Sequence, residues 1–390
     1  MVKELRGKTA IVGIGQAGLG KAEGFSEVEI LAEAARLAVA DAGLKMSDID
    51  GITTASVTAP MWAMPVIEYL GLNTSFIDST MLGGSSFVAH MLPAIHALRS
   101  GQCNAVLVCY GSTQRTSSVN RATIAEVRRS FDPQPYEYPY NPLSPLSTYA
   151  LAAARHMHEY GTTRDQLTDV VLAARSWAQR NPDALRRQPL SRAEVEESKM
   201  ISDPLTVADC CLVNDGAGAY VMVRADRAED LPQKSAYVLG AATHVWGRQG
   251  SSLPSLTETA AKVSGERAFE MAGVKPSDID VAELYDAFSI NTILFLEDLG
   301  FCPKGEGGRF VSDGMIAPGG DLPVNTNGGG LSCIHPGMYG IFITIEAVRQ
   351  LRGHRGDGQI DGAELALVHG NGGSLSSQST AILGAESTLW

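Results

Sequence analysis

One ten-residue pattern occurs twice. Asp41–Asp50 reads DAGLKMSDID and Met271–Asp280 reads MAGVKPSDID, an offset of 230 residues in a chain of 390. A helical pattern precedes each copy (VEILAEAARLAVA, then ERAFE), and a strand-like run follows each (GITTASV, then VAELYDAF). A second pair lies further along, in the same order. SFVAHMLPAIHALRSGQCNAVLVCYG is a helix, a glycine, a polar turn and an apolar strand, and GIFITIEAVRQLRG followed by GAELALVHGNGG repeats that order. Two matched pairs imply a duplicated α/β unit. Strands that alternate with helices imply mostly parallel sheets with helices layered on them.

The duplication divides the chain into halves, 1–232 and 233–390, with RADRAEDLPQKSA as the polar seam. The first half carries an insertion with no counterpart, about 112–150. Its stretch Ser130–Ser147, rich in proline and tyrosine, reads as irregular, either a surface loop or a lid or subunit contact. A length of 390 residues and an apolar fraction of 44% give ample core for such halves. A net charge of −12 leaves no basic footprint for nucleic acid or an anionic membrane surface, and an anionic substrate would need a local basic patch. The six cysteines form no CxxC pair, so neither a metal site nor a disulfide framework is visible, and a reducing, cytoplasmic compartment is expected. No run is apolar over the roughly 18 residues that a membrane span needs, and the N-terminal TAIVGIG is too short for a signal peptide.

Gly13–Gly18 spells GxGxxG, but the helix signal begins only at Ser26, with Glu29 completing a capping box. A glycine-rich loop at a strand end is therefore expected, not a dinucleotide site. His156 and His158 are two apart, cannot chelate from one helix face, and read as solvated. Cys210 and Cys211 read as packing residues.

Three glycine-rich stretches belong together by the repeat. Leu82–Phe87 (LGGSSF) opens a helix, His335–Gly340 (HPGMYG) opens the matched helix, and His369–Ser374 (HGNGGS) follows a strand. In α/β sheets such loops gather on one side. Helix starts there offer free N–H groups, and glycine lets a ligand approach the backbone. With His335 and His369 they would make an oxyanion-binding pocket.

The duplicated halves, with DPLTVADCCLVNDGAGA, LYDAF, LEDLGFCPKGEG, LPVNTNGGGLSCIHPGMYG and EAVRQLRG, resemble the thiolase superfamily over nearly the whole chain. The likeness is closest to the branch of sterol-carrier-protein thiolases and lipid-transfer-protein-like steroid side-chain aldolases. The departures are instructive. Where thiolases carry a nucleophilic cysteine at a helix mouth, this chain has Gly84 or Ser85, and the nearest cysteine, Cys103, lies beyond the helix. The HDCF element of sterol-carrier-type thiolases is Tyr285-Asp286-Ala287-Phe288 here, and the C-terminal cysteine of other branches gives way to His369-Gly370-Asn371-Gly372-Gly373.

Without either cysteine, thiolysis loses its covalent step. The resemblance then implies retro-aldol cleavage of a β-hydroxyacyl-CoA, with acyl transfer or condensation, or a non-catalytic lipid or acyl-CoA carrier or scaffold, as the alternatives. Tyr285 is the first candidate base and Tyr339 the second. His335 and nearby backbone N–H groups would hold the enolate oxygen, and His335 or His369 would lower the tyrosine pKa or relay its proton. Gly84, Ser85, Asp286 and Gly372 would line the pocket, with Asp286 directed to a structural hydrogen bond. No bound cofactor or metal is expected, coenzyme A being part of the substrate. A homodimer joined through Ala105–Tyr110 is implied, with a small OB-fold partner chain, sometimes carrying a zinc ribbon.

Overall fold

The computed structural model describes residues 2–117 and 136–389; the central part of the insertion, 118–135, lies outside the described residues. The strands are β1 (Thr9–Gly20), β2 (Gly51–Thr54), β3 (Phe76–Asp78), β4 (Ala105–Ser112), β5 (Met200–Ser202), β6 (Leu205–Thr206), β7 (Asp215–Arg224), β8 (Ala236–Val245), β9 (Val281–Leu284), β10 (Leu365–Gly372) and β11 (Ser377–Gly384). Nine of them form one sheet in the order β3-β2-β4-β7-β1-β8-β11-β10-β9, and β5 and β6 pair separately. The helices include α1 (Glu27–Asp41), α2 (Ala63–Leu70), α3 (Ser86–Ala89), α4 (Met91–Arg99), α5 (Leu146–Tyr160), α6 (Arg164–Gln179), α7 (Ala261–Ala272), α8 (Ser289–Asp298) and α9 (Gly340–Arg352).

The sheet order displays the duplication. Outward from the central pair β1 and β8, one wing runs β7-β4-β2 and the other β11-β10-β9. The repeated unit accounts for the parallel pairs: β2 lies parallel to β4 and β9 parallel to β10, with edge strand β3 parallel to β2. The other pairs in this sheet are antiparallel, including the β1–β8 contact that joins the wings. The sheet is thus mixed, and its parallel part is the part the repeat predicts.

The repeated sequence has a physical reason at each position. Gly43 and Gly273 both take φ of +70° where α1 and α7 end, a conformation that glycine adopts without strain. Asp48 and Asp278 each accept the backbone N–H three residues earlier, from Lys45 and Lys275, both at 2.8 Å. Asp50 accepts the N–H groups of Asn104 and Ala105, at 2.8 and 2.9 Å, while Asp280 accepts those of Glu364 and Leu365, both at 2.8 Å. Each SDID therefore closes a 3-10 turn and holds the start of the next parallel strand.

Several expectations need correction. The GxGxxG glycines are not in a loop: they lie inside β1. A side chain at Gly13 would meet Ala38 O at 2.1 Å, and one at Gly15 would meet Ala34 O at 2.3 Å. These glycines let the alanine-rich face of α1 approach the strand, and Gly240 does the same against Ala268 O in the second half. His156 is not solvated. It is buried, with Nδ1 at 2.7 Å from Thr162 and Nε2 at 3.1 Å from Glu297, whereas His158 is exposed. The insertion has some regular structure, a 3-10 turn at Tyr138–Tyr140 and the start of α5 at Leu146. The strand at Ala105–Tyr110 is β4, an interior strand paired to β2 on one edge and β7 on the other. Both edges are occupied, so β4 cannot extend a sheet into a second copy. Among the described residues no helix is long and apolar enough to cross a membrane.

Candidate active site

The three glycine-rich stretches meet on one side of the sheet. A side chain at Gly83 would collide with Gly373 N at 2.8 Å, one at Gly372 with Leu82 O at 1.7 Å, and one at Gly340 with Gly84 O at 2.3 Å. Bare backbone is thus required for the start of α3, the start of α9 and the loop after β10 to press together.

Tyr285 follows β9 directly, and its N–H continues the ladder to His369 O at 2.9 Å. Its phenol turns into the glycine junction. An atom at the Cβ position of Gly84 would lie 2.3 Å from Tyr285 Oη and 2.2 Å from Cε2, so the ring fills the space a side chain at 84 would take. The hydroxyl lies 3.1 Å from His335 Nε2 and 3.4 Å from Gly337 O, and it accepts the N–H of Tyr339, at the mouth of α9, at 3.2 Å. His335 is held by its own N–H on Asn214 Oδ1 (2.7 Å) and by Gln114 Nε2 on its carbonyl (3.3 Å). Tyr285 and His335 rings meet edge to face at 5.4 Å.

Burial sets the protonation states. It lowers the His335 imidazole to about 4, leaving it neutral at pH 7. It also drives the Tyr285 phenol well above the usual 10, and the Cys211 thiol nearby pushes the same way while the Tyr339 N–H opposes. Tyr285 is therefore a protonated phenol at rest, with one hydrogen-bonding proton between Oη and Nε2 whichever tautomer His335 adopts.

The other expected residues are placed as follows. Tyr339 contributes its backbone, while its phenol donates to Asn327 Oδ1 at 2.9 Å and is buried. Asp286 accepts the N–H groups of Gly330 (2.6 Å) and Leu331 (3.3 Å), the structural bond expected of it; burial raises its carboxyl to about 7 despite those donors. Ser85 is buried, hydrogen-bonded to Ser377 Oγ at 2.7 Å and to Leu82 O at 3.0 Å. Gly372 lines the junction through backbone alone. His369 does not join the cluster. Its Nδ1 lies 2.9 Å from Thr380 Oγ1 and its Nε2 2.9 Å from Gln378 Oε1, both on the neighbouring strand β11, and burial lowers it to about 3. The cluster so built has one histidine, not two.

Residues not singled out beforehand complete the site. Asn214 and Gln114 fix His335. Asn327 fixes Tyr339, and the Tyr149 ring lies tilted against Phe288 at 4.4 Å with its hydroxyl donating to Gly373 O. The asparagines of NTNGGG were the available signal, since asparagine beside glycine marks a shaped turn. Asn214 and Gln114 reach the site from distant sequence and carried none.

Residues 242–385 match the family model described as "Thiolase C-terminal domain-like". An acetyl-CoA acetyltransferase from Methanothermobacter thermautotrophicus is 35% identical over 375 residues, 94% of this chain and 96% of the relative. A steroid side-chain-cleaving aldolase from Thermomonospora curvata is 34% identical over 369 residues, 90% of this chain and 91% of the relative. The solved structure titled "Ltp2-ChsH2(DUF35) aldolase" superposes with a TM-score of 0.89 at 32% identity, covering 99% of this chain and 100% of that one. A duplicated α/β fold with a histidine at the meeting of two helix starts defines a thiolase-type enzyme. The chain belongs to the thiolase superfamily, among the sterol-carrier-type thiolases and steroid side-chain-cleaving aldolases.

Proposed function

We propose that this protein cleaves a carbon–carbon bond of a β-hydroxyacyl-CoA by retro-aldol reaction. The observation that carries the reading is the Tyr285 phenol, which stands beside the bare Cα of Gly84, one of the two positions at which the resemblance places a thiolase's thiol, and 3.1 Å from a neutral His335. The substrate hydroxyl gives its proton to Tyr285, which passes its own to His335 Nε2. The oxygen lone pair becomes a carbonyl, the Cα–Cβ bond breaks, and its electrons form an enolate on the thioester. Protonated His335, with backbone N–H groups at the helix mouth, stabilises the enolate oxygen. One such donor is worth about 3–4 kcal/mol. The proton then returns to Cα, leaving a ketone or aldehyde and a shorter acyl-CoA. A relay suits a phenol whose resting state is protonated, because no free phenolate has to form at neutral pH. Coenzyme A enters as part of the substrate. A small partner chain is in keeping with the structural neighbour, in which Ltp2 is paired with ChsH2(DUF35), and the resemblance gives such a partner an OB-fold.

Acyl transfer is the second reading, favoured by the acetyltransferase relative and by the half-buried Cys211 near Tyr285. Mass spectrometry separates the two. A panel of 3-hydroxyacyl-CoA thioesters with steroid, aromatic and branched acyl groups is incubated with the protein and its partner, and products and intact protein mass are read together. Cleavage without an acyl adduct is expected, with Tyr285→Phe lowering kcat by roughly 10²–10⁴. An acyl adduct at Cys211 or Ser85, or full activity in Tyr285→Phe, rejects the retro-aldol relay.

A further inference from the structure

Behind the two phenols lies a buried acid pair that the relay does not use. Glu283 on β9 and Glu346 on α9 are both buried, and one hydroxyl, Thr326 Oγ1, stands between them. It lies 2.8 Å from Glu283 Oε1 and 2.6 Å from Glu346 Oε1, and it accepts Gln350 Nε2 at 2.9 Å. A threonine hydroxyl has one proton. Two carboxyl contacts plus an incoming N–H are satisfied only if one acid is itself protonated and donates to Oγ1. Glu346 has a cation beside it: Arg355 Nε is 2.7 Å from Glu346 Oε1, and both side chains are buried. Among the described residues Glu283 has no ion pair of its own and feels Arg355 only from beyond Glu346, so it is the neutral member. Burial, reinforced by the charge of Glu346, raises it well above the ordinary glutamate range. The charged groups facing Glu283 are Glu346 on α9 and Arg355 just beyond its end.

The segment carrying Thr326 grips both halves of the reactive cluster. Asn325 Oδ1 accepts the N–H of Leu284, the residue before Tyr285, at 2.6 Å. Asn327 Oδ1 accepts the Tyr339 phenol at 2.9 Å and the Gly329 N–H at 2.7 Å. Thr326 N–H also donates to Glu283 Oε1 at 3.1 Å. Three consecutive side chains thus tie the end of β9, the acid pair and the mouth of α9 into one unit, although Asn325 itself holds the left-handed φ of 53° that non-glycine residues rarely adopt.

We propose that Glu283 and Thr326 are positioning residues, which keep Tyr285 and the Tyr339 N–H in register through Asn325 and Asn327. The inference rests on the retro-aldol reading for its kinetic arm. A misplacement of about 1 Å at a reacting group costs on the order of 10²-fold in rate. Thr326→Val keeps the shape and removes the hydroxyl, and Thr326→Ser restores it. With the best substrate of the thioester panel, Thr326→Val is expected to lower kcat about 10- to 100-fold with KM within about twofold, because the loss falls on the transition state. Thr326→Ser recovers most of it. Glu283→Gln, which keeps a neutral polar group that can both donate and accept at Thr326, is expected to exceed Glu283→Leu in kcat, and if the leucine variant does not fold the Thr326 pair carries the test. Hydrogen exchange of the Gly337–Gly340 amides gives a readout free of turnover, expected to quicken in Thr326→Val and not in Thr326→Ser. An unchanged kcat in Thr326→Val, a loss that serine does not rescue, or a change confined to KM overturns the inference. If the wild type cleaves nothing in the panel, the retro-aldol reading falls by itself. The exchange comparison then decides the positioning role: faster exchange in valine alone supports it, and equal rates overturn it.

Discussion

Gly84→Ala should damage both the fold and the site, because the space its methyl would take holds the Tyr285 phenol. The new Cβ would stand 2.2–2.4 Å from Cε2, Oη and Cζ of Tyr285. Carbon atoms rest at about 3.5–4.0 Å, so the ring or the backbone must withdraw by more than about 1 Å. Neither has room. Gly340 presses on the Gly84 carbonyl from the start of α9, and the Tyr285 ring is flanked by His335 at 5.4 Å and Tyr339 at 5.7 Å. Overpacking of this kind costs about 1–3 kcal/mol of stability. The hydroxyl it displaces is the proposed reactive group, so kcat should fall by about 10²-fold. Urea unfolding and the thioester cleavage assay measure the two effects. A double-mutant cycle isolates the cause: with Tyr285→Ala the space is open, and Gly84→Ala should then be nearly neutral for stability, an interaction energy of about 1–3 kcal/mol. Wild-type kcat in Gly84→Ala would refute the placement of the reaction at the phenol. So would an equal stability cost with and without the Tyr285 ring refute the clash.

Two further outcomes follow from the same geometry. Burial holds His335 at about 4 against an ordinary 6.5, so between those values the unfolded chain binds a proton that the folded chain refuses. The wild type therefore loses stability relative to His335→Gln as pH falls from 7 to 4, by up to about 3 kcal/mol, and urea midpoints for both proteins across that range check it. A difference independent of pH would mean that His335 is not buried neutral. Asp50→Ala and Asp280→Ala each strip the acceptor from two strand-starting N–H groups, and should cost similar amounts, about 1–3 kcal/mol in chemical unfolding; a large cost at one and none at the other would break the equivalence of the two turns.

Much of this molecule was legible in its residues because local needs recur. The SDID pattern appears twice since each copy closes a turn and anchors a parallel strand, and the glycines of LGGSSF, HPGMYG and HGNGGS are bare since three backbones meet there. Pattern of that kind survives in one dimension. What the residues alone did not decide was direction and partnership. His335 and His369 look equivalent as lone histidines beside glycines, yet one faces the junction and the other spends both ring nitrogens on β11. Tyr285 and Tyr339 are both phenols near the same helix mouth, yet only Tyr285 turns its hydroxyl to His335. GxGxxG looks like a loop until α1 is laid against β1. Glu283 drew no notice on β9, because a carboxyl becomes unusual only when Glu346, 63 positions later in the chain, is brought beside it by the packing of α9 on the sheet. Side-chain periodicity and turn chemistry are local, and the sequence carries them. Which polar groups share a buried space is set by long-range packing, and only the tertiary structure settles it.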